Sequence, residues 1–237
     1  FYQKYAATEL ANSFFDSGDG GRHTVTPSGN VHTDTAVKKF GTASAQFDGT
    51  GDYLTTSSGF GVGTGDFTYE CWLRYDGTPG QYFIVSHAVD GSPVITLYPN
   101  PSSSRWENYV GGTEYQFTSW DPVADTWYHI ALCRSGTNLR MFVDGTQIGS
   151  TATSSDSVSA GALRISGQYN DANNMDGYMD EIRFSDSARY VQDFTAPTEA
   201  FTNDINTMLL LHCDGSNDGT SFPDNSSHTI TANGDVA

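Results

Sequence analysis

The chain has 237 residues, a common length for a single β-sandwich domain. Eleven lysine and arginine residues stand against 28 aspartate and glutamate residues, so the formal net charge is −17 at pH 7. This balance argues against a DNA or RNA partner, because phosphate binding requires clustered basic side chains.

The N-terminal residues, 1–12, show little pattern, and we interpret them as a linker or the remnant of a preceding element. The next segment, residues 13–31, reads SFFDSGDGGRHTVTPSGNV and reappears at residues 221–236 as SFPDNSSHTITANGDV. A repeat separated by nearly the whole chain indicates that the C-terminal residues open a second copy of the unit. An apolar strand, MLLLHCDG, stands before the second copy but not before the first.

Alternation of apolar and polar residues predicts a series of strands in the first half of the chain. The clearest is FTYECWLRY at residues 67–75, because aromatic residues occupy both of its faces, as in a central sandwich strand. Further strands are predicted within residues 40–54, 81–88 and 94–99, and in a hairpin over residues 102–120 that turns at Gly111 and Gly112.

Residues 126–149, TWYHIALCRSGTNLRMFVDGTQIG, predict a three-stranded antiparallel meander. Its first two strands are joined by a Gly- and Asn-containing turn at residues 135–138, and Asp144-Gly145 is the turn before the third. A meander leaves a sheet edge and an apolar face open, so other strands of the chain must cover it.

Three stretches resemble one known family. They are the meander with its LxxFVDGxxIG-like pattern, FGTASAQFDGTGDYL at residues 40–54, and GYMDEIRFSDSARY at residues 177–190. They are similar to the laminin-G-like, concanavalin A-like jelly rolls repeated in tandem in bacterial and bacteriophage surface proteins. The resemblance implies an all-β, two-sheet antiparallel jelly-roll sandwich over residues 13–201, with residues 202–237 as a linker and the start of a second repeat.

This fold hosts lectins, adhesion modules, glycosidases and structural spacers, and the sequence is compatible with two functions from different classes. The first is a non-catalytic glycan-binding or adhesion module of a virion or cell-surface protein, extracellular and without membrane insertion. The second is a structural or assembly protein in which residues 208–214 join neighbouring domains or subunits. An MLLL segment is too apolar to lie in water, so it must be buried in its own domain or in a neighbouring subunit.

Catalysis is not predicted. The hydrolase branch of the resembling fold carries two glutamates around an aspartate, E-x-D-x-E, as its acid and nucleophile pair. The sequence has no such pattern, and its glutamates stand singly, as at Glu70, Glu107 and Glu114. We interpret the strand histidines His87, His129 and His212 as satisfied core or edge residues, because metal ligands normally come as clusters.

The resemblance also implies a structural calcium ion, which takes oxygen ligands from separated loops. Carried onto this sequence, the ligands are an acidic residue of the opening strand, a carbonyl in a turn, and the aspartate of the closing strand. These positions are Asp214 or Asp16, the Asp48-Gly49 turn, and Asp180.

A carbohydrate site requires aromatic rings for stacking and polar groups for hydroxyls. Predicted loops place candidates for such a rim at Trp106, Tyr109, Tyr169, Asn170 and Asp171.

The three cysteines, Cys71, Cys133 and Cys213, have spacings that fit no zinc or haem motif, and an odd number cannot pair completely. Each lies in an apolar strand-like run, so we predict buried free thiols.

Overall fold

The structure of the protein, a computed structural model, describes residues 24–56, 59–82, 84–89, 92–168, 173–222 and 224–225. Within these segments the chain forms strands β1 to β15, numbered in chain order, and a short 3₁₀ turn at Pro101–Ser103. No helix in the described part of the chain is long and apolar enough to cross a membrane. The predictions for residues 1–12 and for the repeated segment at 226–236 lie outside the described residues.

One antiparallel sheet has seven strands. In spatial order they are β1 (Val25–Ser28), β4 (Tyr53–Thr56), β13 (Leu163–Ile165), β6 (Val85–Val89), β7 (Ser92–Asn100), β8 (Arg105–Val110) and β9 (Thr113–Thr118).

The other antiparallel sheet has eight strands, seven of them in one path. In spatial order the path is β12 (Thr146–Thr153), β11 (Asn138–Val143), β10 (Trp127–Ser135), β5 (Phe67–Tyr75), β14 (Asp176–Ser185), β3 (Ser44–Asp48) and β2 (His32–Asp34). The eighth strand, β15 (Thr207–Leu211), pairs with β14.

The inward-facing apolar residues of both sheets form one core, to which Leu73 and Ile130 contribute from one sheet and Leu97 and Trp106 from the other. This arrangement confirms the predicted all-β, two-sheet antiparallel sandwich. The three cysteines are buried and free, as predicted.

The strand β14 pairs with β5 along one edge and divides its other edge between two strands. Its first part, residues 176–179, pairs with β3, and its last part, residues 182–185, pairs with β15. The register with β5 shifts between these parts, where Glu181 has a φ of 50°. As a result, β15 continues the line of β3 along β14.

The placement of β15 explains its composition. Leu209 and Leu211 lie in the main core, while Leu210 faces the other way and packs with Trp72 and Phe201. The apolar segment is therefore buried in its own domain. Phe222 also lies in the main core. The predicted boundary between residues 201 and 202 consequently does not separate two bodies, because the chain as far as residue 225 packs into the same sandwich.

The connection from β14 to β15, residues 186–206, crosses the outer face of the eight-stranded sheet. Tyr190 and Phe194 stack at 3.6 Å between ring centroids and pack against the buried Phe142. Phe201 is buried beside Trp72. This face of the sheet is therefore covered by the chain itself.

Candidate functional site

The three neighbouring strands β7, β8 and β9 sort their side chains strictly between the core and the outside. Leu97, Trp106, Asn108 and Phe117 point inward and are fully buried. In an antiparallel ladder, directly opposed residues share a face, and alternate residues along each strand point to opposite faces. The register pairs Trp106 with Phe117, and the residues between the inward ones therefore form the outer face.

That outer face carries two tyrosines and three polar side chains, which we call the tyrosine face: Tyr98, Glu107, Tyr109, Glu114 and Gln116. The register places Tyr98 opposite Glu107 and Glu107 opposite Gln116, and it places Tyr109 opposite Glu114. Glu114 and Gln116 are exposed, Tyr109 is partly exposed, and Glu107 and Tyr98 are each 6% exposed.

Hydrogen bonds hold the exposed edge of the tyrosine face in a fixed arrangement. The Tyr109 hydroxyl donates to Glu114 Oε2 at 3.3 Å, and Gln116 Nε2 donates to Glu114 Oε1 at 2.7 Å. Arg105 connects the next pair, with its Nε donating to Glu107 Oε1 at 2.7 Å and Nη1 donating to Gln116 Oε1 at 3.0 Å. The polar groups are thus oriented before any ligand arrives.

The protonation states follow from these contacts. Burial, together with the hydrogen bond to Glu107, raises the pKa of Tyr98. Burial and the charge of Glu114 raise the pKa of Tyr109. Burial alone would raise the pKa of Glu107, but hydrogen bonds from Arg105 and Asn100 outweigh it and leave that pKa below its usual value. Near neutral pH, both phenols are therefore protonated and Glu107 is ionised.

The polar face continues across the sheet. The register connects Tyr109 through Thr96 and Ser86 to Arg164, so one row of outward residues crosses four adjacent strands. The Arg164 guanidinium lies 3.3 Å from the centroid of the Tyr53 ring. Ser86 Oγ donates to the carbonyl oxygen of Gly167 at 3.1 Å, which brings the chain after β13 over this row.

The predicted carbohydrate residues separate into three groups. Trp106 is fully buried and stacks on Trp120 at 5.0 Å, so the structure removes it from the candidate rim and places it in the core. Tyr109 lies on the outer face, beside polar partners. Tyr169, Asn170 and Asp171 lie outside the described residues, which stop at Gln168 and resume at Asn173.

Sequence reasoning missed Tyr98, Glu107, Glu114 and Gln116 as members of one surface. The hairpin turn at Gly111 and Gly112 contained the necessary signal. Once that turn is fixed, Tyr109 must oppose Glu114 and Glu107 must oppose Gln116. Trp106 and Glu107 are consecutive in β8, so their side chains point to opposite faces of the sheet.

The predicted calcium ligands do not form one site. Asp48 pairs with Asp176 while Asp180 lies four residues further along β14, so the Asp48-Gly49 turn and Asp180 are about 13 Å apart. Asp16 lies outside the described residues. Among the described residues, no group of three or more His, Cys, Asp or Glu side chains is arranged to hold a metal ion.

Two of those aspartates instead fix the loop before β3. Asp180 Oδ2 accepts the backbone N–H groups of Lys39 and Phe40 at 2.9 and 3.0 Å. Asp214 Oδ1 accepts the amide and hydroxyl of Thr42. Burial raises the pKa of Asp180 to about 7, although these hydrogen bonds oppose the shift.

A second polar cluster lies beneath the 186–206 connection, and its centre is the fully buried Glu70. Its Oε1 accepts from Arg183 Nε at 2.8 Å, and its Oε2 lies 3.1 Å from His129 Nε2 and 2.9 Å from the Tyr190 hydroxyl. Burial alone would raise the pKa of Glu70, but His129 and Arg183 outweigh it and lower the pKa. Because every partner is itself buried or packed, this cluster fastens the connection to the sheet.

Comparison with solved structures identifies the same sandwich in carbohydrate-active proteins. A Bacteroides ovatus protein to which carbohydrate binding is provisionally assigned is 14% identical, with a TM-score of 0.56 over 92% of this chain and 85% of that one. Domain 4 of AbnA, an extracellular GH43 arabinanase from Geobacillus stearothermophilus solved with arabinotriose, is 14% identical, with a TM-score of 0.57 over 74% of this chain and 92% of the domain.

The Trypanosoma rangeli sialidase is 13% identical, with a TM-score of 0.51 over 78% of this chain but only 32% of the sialidase. At these identities the likenesses establish the fold alone. No curated protein matches the sequence.

The family profile Laminin_G_3, described as the concanavalin A-like lectin/glucanases superfamily, matches residues 48–193. The matched range covers more than half of the chain and extends from the end of β3 through β14 into the connection that follows it. The resemblance seen in the sequence is confirmed, and the chain belongs to the Laminin_G_3 family of the concanavalin A-like lectin/glucanases superfamily.

Proposed function

We propose that this chain is a non-catalytic carbohydrate-binding module whose binding surface is the tyrosine face of the seven-stranded sheet. The observation that carries the proposal is the accessible pairing of Tyr109 with Glu114 across β8 and β9, next to Gln116 and to the buried pair Tyr98 and Glu107. Rings beside fixed carboxylate and amide groups match a sugar, which offers an apolar C–H face and a rim of hydroxyls.

The similar structures support this use of the fold. Domain 4 of the arabinanase was solved in complex with arabinotriose, and the match covers 92% of that domain. The Bacteroides ovatus protein carries a provisional assignment of carbohydrate binding. A module of this kind is typical of proteins that act outside the cell, and we extend the proposal to adhesion on a virion or cell surface.

A glycan array followed by isothermal titration of its strongest binders tests the proposal. The wild-type chain is expected to bind, and Tyr109→Ala to lower the affinity on the order of tenfold, because an aromatic contact at the centre of a site dominates its energy. Tyr178→Ala is the matched control, since Tyr178 lies on β14 in the other sheet. A folded wild-type chain that binds no glycan, or equal losses in both variants, would contradict the proposal.

Binding rather than hydrolysis is proposed because Glu107, the buried carboxylate of the face, lacks the property that a glycosidase acid requires. A glycosidase acid needs a raised pKa. Glu107 instead has a lowered pKa beside Arg105. Incubation of the array's binders with the chain, followed by analysis of reducing ends, should show no cleavage; release of sugar that Glu107→Gln abolishes would establish an enzyme.

Calcium stays a prediction of the family resemblance, since its proposed ligands are not gathered by the described residues. Thermal unfolding in millimolar calcium and in chelator tests it. A ligand held only by the native state raises its stability, so a higher Tm with calcium would support the ion and an equal Tm would count against it.

A second candidate function is assembly, and the repeated segment favours it. The first half of the C-terminal copy is fixed in this body, where Asp224 Oδ1 accepts the Leu210 N–H at 3.0 Å and the Asn225 N–H donates to the Leu210 carbonyl at 2.6 Å. The second half, residues 228–236, repeats the sequence of β1 and its following turn, while β1 itself already pairs with β4. Because β1 already has its partner in this body, we propose that the second copy of its sequence, at residues 228–236, joins a neighbouring unit.

Light scattering across a concentration series tests the assembly function. The full chain is expected to self-associate, and a chain ending at residue 225 to remain monomeric. A variant with residues 226–237 in scrambled order keeps composition and length and serves as the control. A full chain that stays monomeric at every concentration would exclude association through this segment.

A further inference from the structure

The charges of the tyrosine face are unevenly balanced. The sequences of β7, β8 and β9 contain one lysine or arginine, Arg105. Its Nε forms an ion pair with Glu107 Oε1 at 2.7 Å. Glu107 is almost fully buried, whereas Glu114 is exposed. Among the ion pairs formed by described residues, none involves Glu114, so its carboxylate is the uncompensated charge of the face.

The carboxylate of Glu114 is also held in place. Its Oε1 accepts from Gln116 and its Oε2 accepts from the Tyr109 hydroxyl, so both oxygens are tied to the surface from which a sugar would be bound. A ligand that stacks on Tyr109 therefore lies within one side-chain length of the Glu114 carboxylate, whose negative charge is held in place. It cannot displace the charge into solvent without breaking both hydrogen bonds.

A compensating cation lies too far away to serve the same sugar. Arg164 belongs to the same outward row, but Ser86 and Thr96 separate it from Tyr109. Three strand spacings amount to about 14 Å, and the Arg164 guanidinium is already stacked on Tyr53. The chain's net charge of −17 adds a general repulsion of anions.

We propose that Glu114 makes the tyrosine face selective for neutral oligosaccharides and excludes glycans that carry a carboxylate or sulfate on the sugar stacked at Tyr109 or on the sugar attached to it. This inference rests on the proposed function. A fixed like charge a few ångströms from the ligand weakens binding of the anionic form on the order of tenfold, and such a repulsive element is a common source of specificity.

Matched pairs of ligands test the selection. Lactose is compared with 3′-sialyllactose, and linear xylo-oligosaccharides with the same xylo-oligosaccharides substituted by glucuronic acid. The measured quantity is the ratio of acidic to neutral affinity within each pair, at low and at high salt. For the wild-type chain, the ratio is expected to be about one tenth or lower at low salt and to rise with salt, because screening weakens charge repulsion.

The variant Glu114→Gln keeps the shape and an acceptor oxygen but removes the charge, so the ratio of acidic to neutral affinity should rise severalfold. Glu199→Gln removes the same charge from an exposed position in the 186–206 connection and should leave the ratio as in the wild type. Acidic members that bind as well as neutral ones, or a ratio that Glu114→Gln does not change, would overturn the selectivity while leaving carbohydrate binding intact. If the chain binds neither the neutral nor the acidic ligand of any pair, the proposed carbohydrate binding itself is wrong.

Discussion

Tyr109 and Glu114 oppose each other directly across the β8–β9 hairpin, and the tyrosine hydroxyl donates to the Glu114 carboxylate at 3.3 Å. The bond orients the ring and the charge as one unit. Two different properties of Tyr109, its ring and its hydroxyl, are therefore open to separate measurement.

Tyr109→Phe should lower glycan affinity by no more than about threefold, because it removes one net hydrogen bond and keeps the stacking ring. Tyr109→Ala, which removes the ring, should cost on the order of tenfold. Isothermal titration with one neutral oligosaccharide measures both variants. Equal losses in the two would mean that the hydroxyl, not the ring, contacts the sugar.

Trp106→Ala should destabilise the fold by about 3–5 kcal/mol, because it leaves a large cavity in the core beside Trp120. Tyr109→Ala, the neighbouring change on the outer face, should cost far less stability. Urea unfolding monitored by fluorescence gives both values. A small loss for Trp106→Ala would contradict its placement in the core and return it to the candidate rim.

Acid should weaken the fold through His87. Burial lowers the pKa of this histidine to about 4 from 6.5, so between these values the unfolded chain binds more protons than the folded one. Stability therefore falls as pH drops from about 6.5 towards 4, by up to roughly 3 kcal/mol from this group.

Urea unfolding at several pH values measures that loss. His87→Leu should flatten this part of the pH profile, since its side chain would lie between Ile95 and Leu163 without a proton to gain. An unchanged acid slope in His87→Leu would assign the effect to other groups.

Glu70→Gln should cost about 3–5 kcal/mol, because removing one member of a buried ionic network leaves the charge of Arg183 unpaired. Glu199→Gln, at an exposed site, should change stability by less than about 0.5 kcal/mol. Limited proteolysis is a second, independent measurement, since loss of the network should make residues 186–206 accessible to protease cleavage. Equal stability of both variants would mean that the network does not fasten the connection.

The architecture could be predicted because the strands and hairpins follow from local features of the sequence: the alternation of apolar and polar residues, and the turn residues between them. Gly111 and Gly112, and the Asp144-Gly145 pair, fix hairpins whose strands follow from their own sequence. The proposed binding face was harder to predict, because Trp106 and Tyr109 of β8 point to opposite faces of the sheet, and the local pattern does not decide which of them faces the core.

Two further features depend on contacts distant in sequence. Glu70 resembles any single glutamate in a strand, and its partners Arg183 and Tyr190 lie 113 and 120 residues away. The sequence required the burial of residues 208–214 but could not distinguish their own domain from a neighbour. Only the shared edge of β14 decides this.

The shared edge of β14 also orders the events of folding. On one edge of this strand, residues 182–185 have no strand partner until β15 pairs with them. β15 lies more than 150 residues after β3, which pairs with the first part of the same edge. The pairing of β3 with β14 forms slowly, because the long loop over residues 49–175 must close first, whereas β15 needs only the shorter connection at residues 186–206. During synthesis, this part of the β14 edge therefore stays unpaired until residue 211 has left the ribosome. A nascent chain interrupted before that point would expose the unpaired strand edge to neighbouring chains and favour aggregation.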